Sequence, residues 1–142
     1  MLRVGTVGTS SIMRTIQEAI RLTDGMECRV VYSRTEEQGR AFAAEMGVPE
    51  HCTDYAAMLE RSDLDLIDIA SPNRFHVEQA LAALEHGKHV IVEKPAAVTR
   101  GDVQRLIDAA RANGVYFFEA ITTLFMPQYE ACRLLLPKLG RI

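Results

Sequence analysis

The 142-residue sequence is 48% hydrophobic and 25% charged, with a formal net charge of −3, long enough for one domain with its own core. Lys and Arg are dispersed rather than clustered, which excludes the basic footprint of a nucleic-acid binder, and no run approaches the roughly 18 apolar residues of a membrane span. Cys28, Cys52 and Cys132 are odd in number and lack CxxC spacing, so they read as reduced, buried thiols rather than disulfide partners or zinc ligands.

Met1-Leu2-Arg3 leads straight into the first predicted strand, Arg3–Val7, with no signal-peptide pattern, so the expectation is a cytoplasmic protein. A turn of small residues, Gly8-Thr9-Ser10-Ser11, opens a helix that continues through Ile12 and Met13. The second strand is Glu27–Tyr32. Thr35 and Gln38 form a capping box for the next helix, which Gly47 and Pro49 stop. "LDLIDIAS" and "HVIVEKP" carry strands at Leu64–Ala70 and His89–Val92, nearly continuous apolar runs of the kind covered on both faces of a parallel sheet. Between them, Asn73 caps a helix whose Val77, Ala80, Leu81 and Leu84 mark one apolar face and which Gly87 ends. Thr99 or Asp102 opens a further helix that terminates at Asn113-Gly114, ahead of the last strand, Tyr116–Ala120. After Pro127 a final amphipathic helix runs to Gly140, and Leu139-Gly140-Arg141-Ile142 reads as the start of another strand. Strands alternating with helices at this interval predict an α/β fold, a doubly wound parallel sheet with right-handed crossovers.

The opening strand, turn and helix have the layout that seats a pyrophosphate on a helix N-terminus. In a dinucleotide loop one glycine makes the tight turn, a second lets the backbone approach the pyrophosphate, and a third lets the helix pack close to the strand. Gly8 supplies the first; Ser10 and Met13 hold the other two positions. The serine hydroxyl can donate to a phosphate oxygen, whereas Met13 demands a wider gap between helix and strand. Taken alone, the loop fits a cofactor loop and a plain strand-to-helix turn equally well. At the end of the second strand, where NAD-selective sites carry an acidic residue, the chain reads Ser33-Arg34. A hydroxyl and a guanidinium suit a 2′-phosphate, and Arg34 can also lie flat on an adenine. NADP is therefore the preferred cofactor, while Glu36 and Glu37 keep NAD open.

Later segments are more specific. Ser71-Pro72-Asn73 with His76 three residues on, then Glu93-Lys94-Pro95, then Glu119-Ala120 each stand at the end of a predicted strand. In this order, with the opening turn, they cover almost the whole chain and resemble the Gfo/Idh/MocA family of glucose–fructose oxidoreductase, inositol dehydrogenase and the rhizopine-catabolism proteins. The resemblance implies that the opening turn is a cofactor loop with serine in place of a glycine. It also implies that residues 1–120 form a dinucleotide-binding domain. Residues 121–142 would then be a connecting segment and helix leading to a second, substrate-binding α/β domain absent from this chain. Leu124 and Met126 depart from the pattern, standing where many relatives carry a basic residue and a histidine.

Residues and resemblance together give a cofactor-binding set of Gly8, Thr9, Ser10, Ser11, Ile12, Ser33, Arg34, Ser71, Pro72, Asn73, His76, Glu93, Lys94 and Glu119. Lys94 is the catalytic candidate. Following an apolar strand, its ammonium emerges at the carboxyl edge of the sheet, where it can hydrogen-bond a hydroxyl or carbonyl oxygen. Partial desolvation would sharpen it as a proton donor and acceptor. Glu93 lies near the nicotinamide by resemblance, and Pro95 fixes the turn, with a cis Lys94–Pro95 bond expected there. His76 faces the cofactor cleft by resemblance; from its position alone it is a surface histidine. Ser71 and Pro72 line the cofactor by backbone contact. His51, His86 and His89 have no partner at a useful spacing, and no carboxylate–histidine pair suggests a metal.

For the full-length protein the resemblance implies an NAD(P)-dependent oxidoreductase, a homo-oligomer. It would move a hydride between nicotinamide and a hydroxyl-bearing carbon of a sugar, polyol or related small molecule. The 142-residue chain alone would be inactive. Two other readings stay open: a non-catalytic dinucleotide sensor or regulator of the same fold, and a nucleotide-free interaction domain, which Ser10 and Met13 favour.

Overall fold

In the computed structural model, which describes residues 1–140, strands and helices alternate. They are β1 (Leu2–Val7), α1 (Ser11–Leu22), β2 (Met26–Tyr32), α2 (Glu36–Met46), β3 (Glu50–Cys52), α3 (Tyr55–Leu59), β4 (Leu66–Ile69), α4 (His76–Glu85), β5 (His89–Glu93), α5 (Arg100–Ala112), β6 (Phe117–Ala120) and α6 (Pro127–Leu135). The strands form one six-stranded sheet in the order β3-β2-β1-β4-β5-β6, and every pairing is parallel. This is the doubly wound sheet the alternation predicts. The chain winds outward from β1 in one direction, then crosses to β4 and winds outward in the other. Between β1 and β4 lies the switch point, outside whose carboxyl ends open α/β sheets bind ligands. Register brings those ends level, because Val7 pairs with both Tyr32 and Ile69.

Strand residues bury both faces. Val7, Val30, Ile67, Ile69, Val90 and Val92 pack with Leu84 of α4 and Leu106 of α5. On the opposite face Val4 and Leu66 meet Ile20 of α1, and Val31 and Ala70 meet Met13 and Phe42. Met13 packs in one cluster with Val31 and Ala70 of the sheet side and Phe42 of α2. Its side chain is fully buried in the seam between α1 and α2, and Arg14 clamps the same two helices through Glu45 at 2.7 and 2.9 Å. One polar cluster interrupts this face. Gln17 of α1 donates to Thr6 Oγ1 at 2.8 Å and to Cys28 Sγ at 3.2 Å. Asp68, 6% exposed and opposite Thr6 on β4, has an Oδ1 with no hydrogen-bond partner. Burial, with the Glu93 charge adding to it, pushes the Asp68 carboxyl up to about 7.

Several sequence expectations need correction. β3 and α3 are additional to the predicted elements. Asn73 does not cap α4: it begins a 3₁₀ turn, Asn73–Phe75, and α4 starts at His76 without a side-chain cap. Of the two candidate starts for α5, Thr99 is the cap, its Oγ1 accepting from the Asp102 amide. Thr35 caps α2, accepting from the Gln38 amide. The last helix stops at Leu135 and passes into a 3₁₀ turn, Leu136–Lys138, short of Gly140. The strand expected from Leu139 does not begin at Leu139 or Gly140, and Arg141 and Ile142 lie outside the described residues. Cys28 and Cys52 are partly buried free thiols, but Cys132 on α6 is exposed. His51 and His86, given no partner from spacing, lie against Glu36 and Glu60, and His89 Nδ1 accepts from the Tyr116 amide. No helix among the described residues is long and apolar enough to cross a membrane.

Candidate functional site

A cleft of about 520 Å³ opens at the switch point, within the size range of small-molecule sites. Its floor is the turn after β1. Gly8 has φ +117°, a conformation that side chains resist, and its amide donates to the Tyr32 carbonyl at 3.0 Å. A Cβ there would stand 2.9 Å from the Ala70 carbonyl oxygen, so only glycine lets the ends of β1 and β4 close to this distance. The chain then enters α1 through Ser10, whose extended backbone starts the helix while its side chain makes no capping bond. The first-turn amides of α1 are left without a side-chain acceptor, and the positive end of the helix dipole points the same way. That arrangement attracts an anion.

The far end of the cleft is built by the end of β2 and the start of α2: Tyr32, Ser33, Arg34 and Gln38. Ser33 is buried and pinned by its amide on the Cys52 carbonyl at 3.0 Å, while Arg34 is exposed. The opposing wall comes from Ala70-Ser71-Pro72 and from α4. Ser71 Oγ donates to Gln79 Oε1 at 2.6 Å, and the Tyr55 hydroxyl donates to the Gln79 carbonyl at 2.8 Å. Burial pushes the Tyr55 phenol up, so this hydroxyl stays protonated and donates.

Of the sequence candidates, Gly8, Thr9, Ser10, Ser33, Arg34, Ser71 and Pro72 line this one cleft. Ser11 and Ile12 sit on the first turn of α1, one step outside the lining, and Asn73 is exposed on the 3₁₀ turn beyond it. His76 does not face the cleft and is not a surface residue. It is 0% exposed, with Nδ1 2.9 Å from the Pro95 carbonyl oxygen and Nε2 2.8 Å from that of Ser71.

Glu93, Lys94 and Glu119 form a separate group at the ends of β5 and β6. The Lys94–Pro95 bond is cis, as expected. Lys94 is exposed, so these residues do not supply the desolvation expected for it. Glu93 Oε2 accepts from the Lys94 amide at 3.3 Å rather than pairing with its ammonium, and Glu119 Oε1 accepts from the Ala96 amide at 2.9 Å. Sequence reasoning missed Tyr32, Gln38, Tyr55, Phe75, Glu78, Gln79 and Ala82 of the lining. Phe75, Gln79 and Ala82 carried a readable signal, the spacing of one face of the α4 segment. No group of His, Cys, Asp and Glu among the described residues is arranged to hold a metal.

Known proteins share this architecture. The chain is 35% identical over its whole length to scyllo-inositol 2-dehydrogenase (NADP(+)) of Bacillus subtilis, of which it covers 43%. It is 39% identical over 81% of its length to 1,5-anhydro-D-fructose reductase of Ensifer adhaerens, covering 34% of that protein. Among solved structures, a 3-ketoreductase from Actinomadura kijaniata in complex with TDP-benzene and NADP superimposes with a TM-score of 0.90 at 30% identity, over 96% of this chain and 42% of that one. Biliverdin reductase from Synechocystis, in complex with biliverdin and NADP+, gives 0.89 at 30% identity, over 99% and 44%. The chain thus spans less than half the length of these relatives. Residues 2–121 match the family model described as "Oxidoreductase family, NAD-binding Rossmann fold", and the chain belongs to that Gfo/Idh/MocA oxidoreductase family.

Proposed function

We propose that residues 1–120 are the NADP-binding domain of an oxidoreductase acting on a sugar, polyol or similar small molecule, and that residues 121–142 lead into its substrate-binding half. The observation that carries this reading is the continuity of one cleft from the uncapped N-terminus of α1 to Ser33 and Arg34. The donor set fits the group. Backbone amides and Ser10 suit a pyrophosphate, and a hydroxyl beside a guanidinium suits a 2′-phosphate. The cleft is sized for the adenosine half of the dinucleotide, leaving the other half to extend toward the ends of β5 and β6. Bound there, the nicotinamide would supply the hydride chemistry. Lys94 would orient the reacting hydroxyl or carbonyl oxygen and move its proton, with the missing half supplying the desolvation that Lys94 lacks here. Relatives named as an inositol dehydrogenase and an anhydrofructose reductase support the substrate class.

Calorimetric titration of the 142-residue chain tests this directly. NADP should bind, and more tightly than NAD. Arg34→Ala should weaken NADP by roughly 1.5–3 kcal/mol, about 10- to 160-fold, through loss of a charge-assisted pair, with little change for NAD. Equal losses for both would mean that Arg34 only stacks on the base. A folded sample giving no heat with either dinucleotide would refute the cofactor assignment.

A further inference from the structure

His76 does not line the cleft, yet it joins the loop of the cleft wall to the loop that carries Lys94. Its nitrogens point away from one another across a rigid ring, one to the Ser71 carbonyl and the other to the Pro95 carbonyl. Ser71 belongs to the cleft wall, and its hydroxyl is held on Gln79, less than one turn along α4 from His76. Pro95 follows Lys94, and the next amide, Ala96, is anchored on Glu119. Since the ring is fully buried, a displacement of one carbonyl has no slack to disappear into.

We infer that His76 is a positioning residue that couples occupancy of the cleft wall at Ser71–Pro72 to the order of the loop carrying Lys94. This rests on the reading of the cleft as a nucleotide site. A ligand packed on the Ser71–Pro72 wall fixes the Ser71 carbonyl. The ring passes that restraint to the Pro95 carbonyl, and the Lys94 loop tightens without being touched. Glutamine carries its N–H donors on a single nitrogen at the end of a flexible side chain and has no rigid ring to fix the spacing of the two carbonyls.

The probe is adenosine 2′,5′-bisphosphate, which reaches from Arg34 towards Ser71 but has no nicotinamide to touch Lys94. Binding to the 142-residue chain is followed by calorimetry, and amide hydrogen exchange is read residue by residue. In the unmodified chain, saturation should slow exchange at Ala96 by about threefold or more. In His76→Gln the Ser33 amide, which is local to the ligand, should still slow while Ala96 no longer responds. His76→Asn takes its place if that variant does not fold. Heat of binding without slowing at Ala96 in the unmodified chain overturns the inference alone, as does slowing that survives in the variant. Absence of heat overturns the nucleotide reading and this inference with it.

Discussion

Replacing Asp68 by asparagine is expected to stabilise the chain by roughly 3–4 kcal/mol more at pH 8 than at pH 4. The carboxyl is buried on β4 with one oxygen unpartnered, and burial pushes it up to about 7. Between about pH 4 and pH 7 the folded chain therefore keeps a proton that the unfolded chain has released. Stability falls as pH rises through this window and levels off above it. Asparagine has nearly the same shape and nothing to ionise, so the decline should vanish. Other carboxylates pull the opposite way in acid. Asp65, hydrogen-bonded by Arg3, is held well below the ordinary range and contributes stability that is lost as pH drops. Urea denaturation of both chains at the two pH values cancels those common contributions. The same offset between the chains at pH 4 and pH 8 would mean that Asp68 is solvated and ionises normally.

Gly8→Ala should cost roughly 2–4 kcal/mol of stability and abolish detectable dinucleotide binding. Two penalties coincide at this position. The backbone has φ +117°, and a Cβ would meet the Ala70 carbonyl oxygen at 2.9 Å and its carbon at 3.2 Å. Both neighbours are backbone atoms immediately beyond β4, so neither can rotate away. Relief requires β1 and β4 to part at their carboxyl ends, which opens the floor of the cleft and misaligns α1 with its anion. Chemical denaturation measures the first effect, and calorimetry with NADP the second. Wild-type affinity in this variant would show that the turn relaxes without disturbing the site.

How legible each feature was in sequence depended on whether its cause was local. β4 and β5 stood out because strands covered on both faces must be apolar nearly throughout, and Leu66–Ile69 and His89–Glu93 are embedded in such runs. β3 was invisible. Its three residues, Glu50-His51-Cys52, lie at the sheet edge and carry no alternation to detect. α3 is only five residues long, and Tyr55 of the cleft wall was lost with it. Gly8 and Arg34 were found because turn and strand-end chemistry is written in neighbouring residues. His76 was misplaced because its burial depends on the Pro95 carbonyl, which lies on another loop. Met13 looked like an obstacle because the sequence cannot show that Phe42, Ala43 and Val48 build the pocket receiving it.

The placement of β1 at the centre of the sheet also sets a schedule for synthesis. Val4 finds its partner Cys28 early, but its other neighbour, Leu66, leaves the ribosome much later. Until then β1 offers a row of bare amides and carbonyls beside apolar side chains, an adhesive edge for any other nascent strand. Arrival of β4 closes that edge and, in the same step, brings Ala70 against Gly8 to complete the cleft floor. A half-made chain therefore carries the α1 N-terminus and Arg34 but lacks the Ala70–Pro72 wall that completes the cleft. Ligand capture becomes a signature of chains whose vulnerable middle is already sealed.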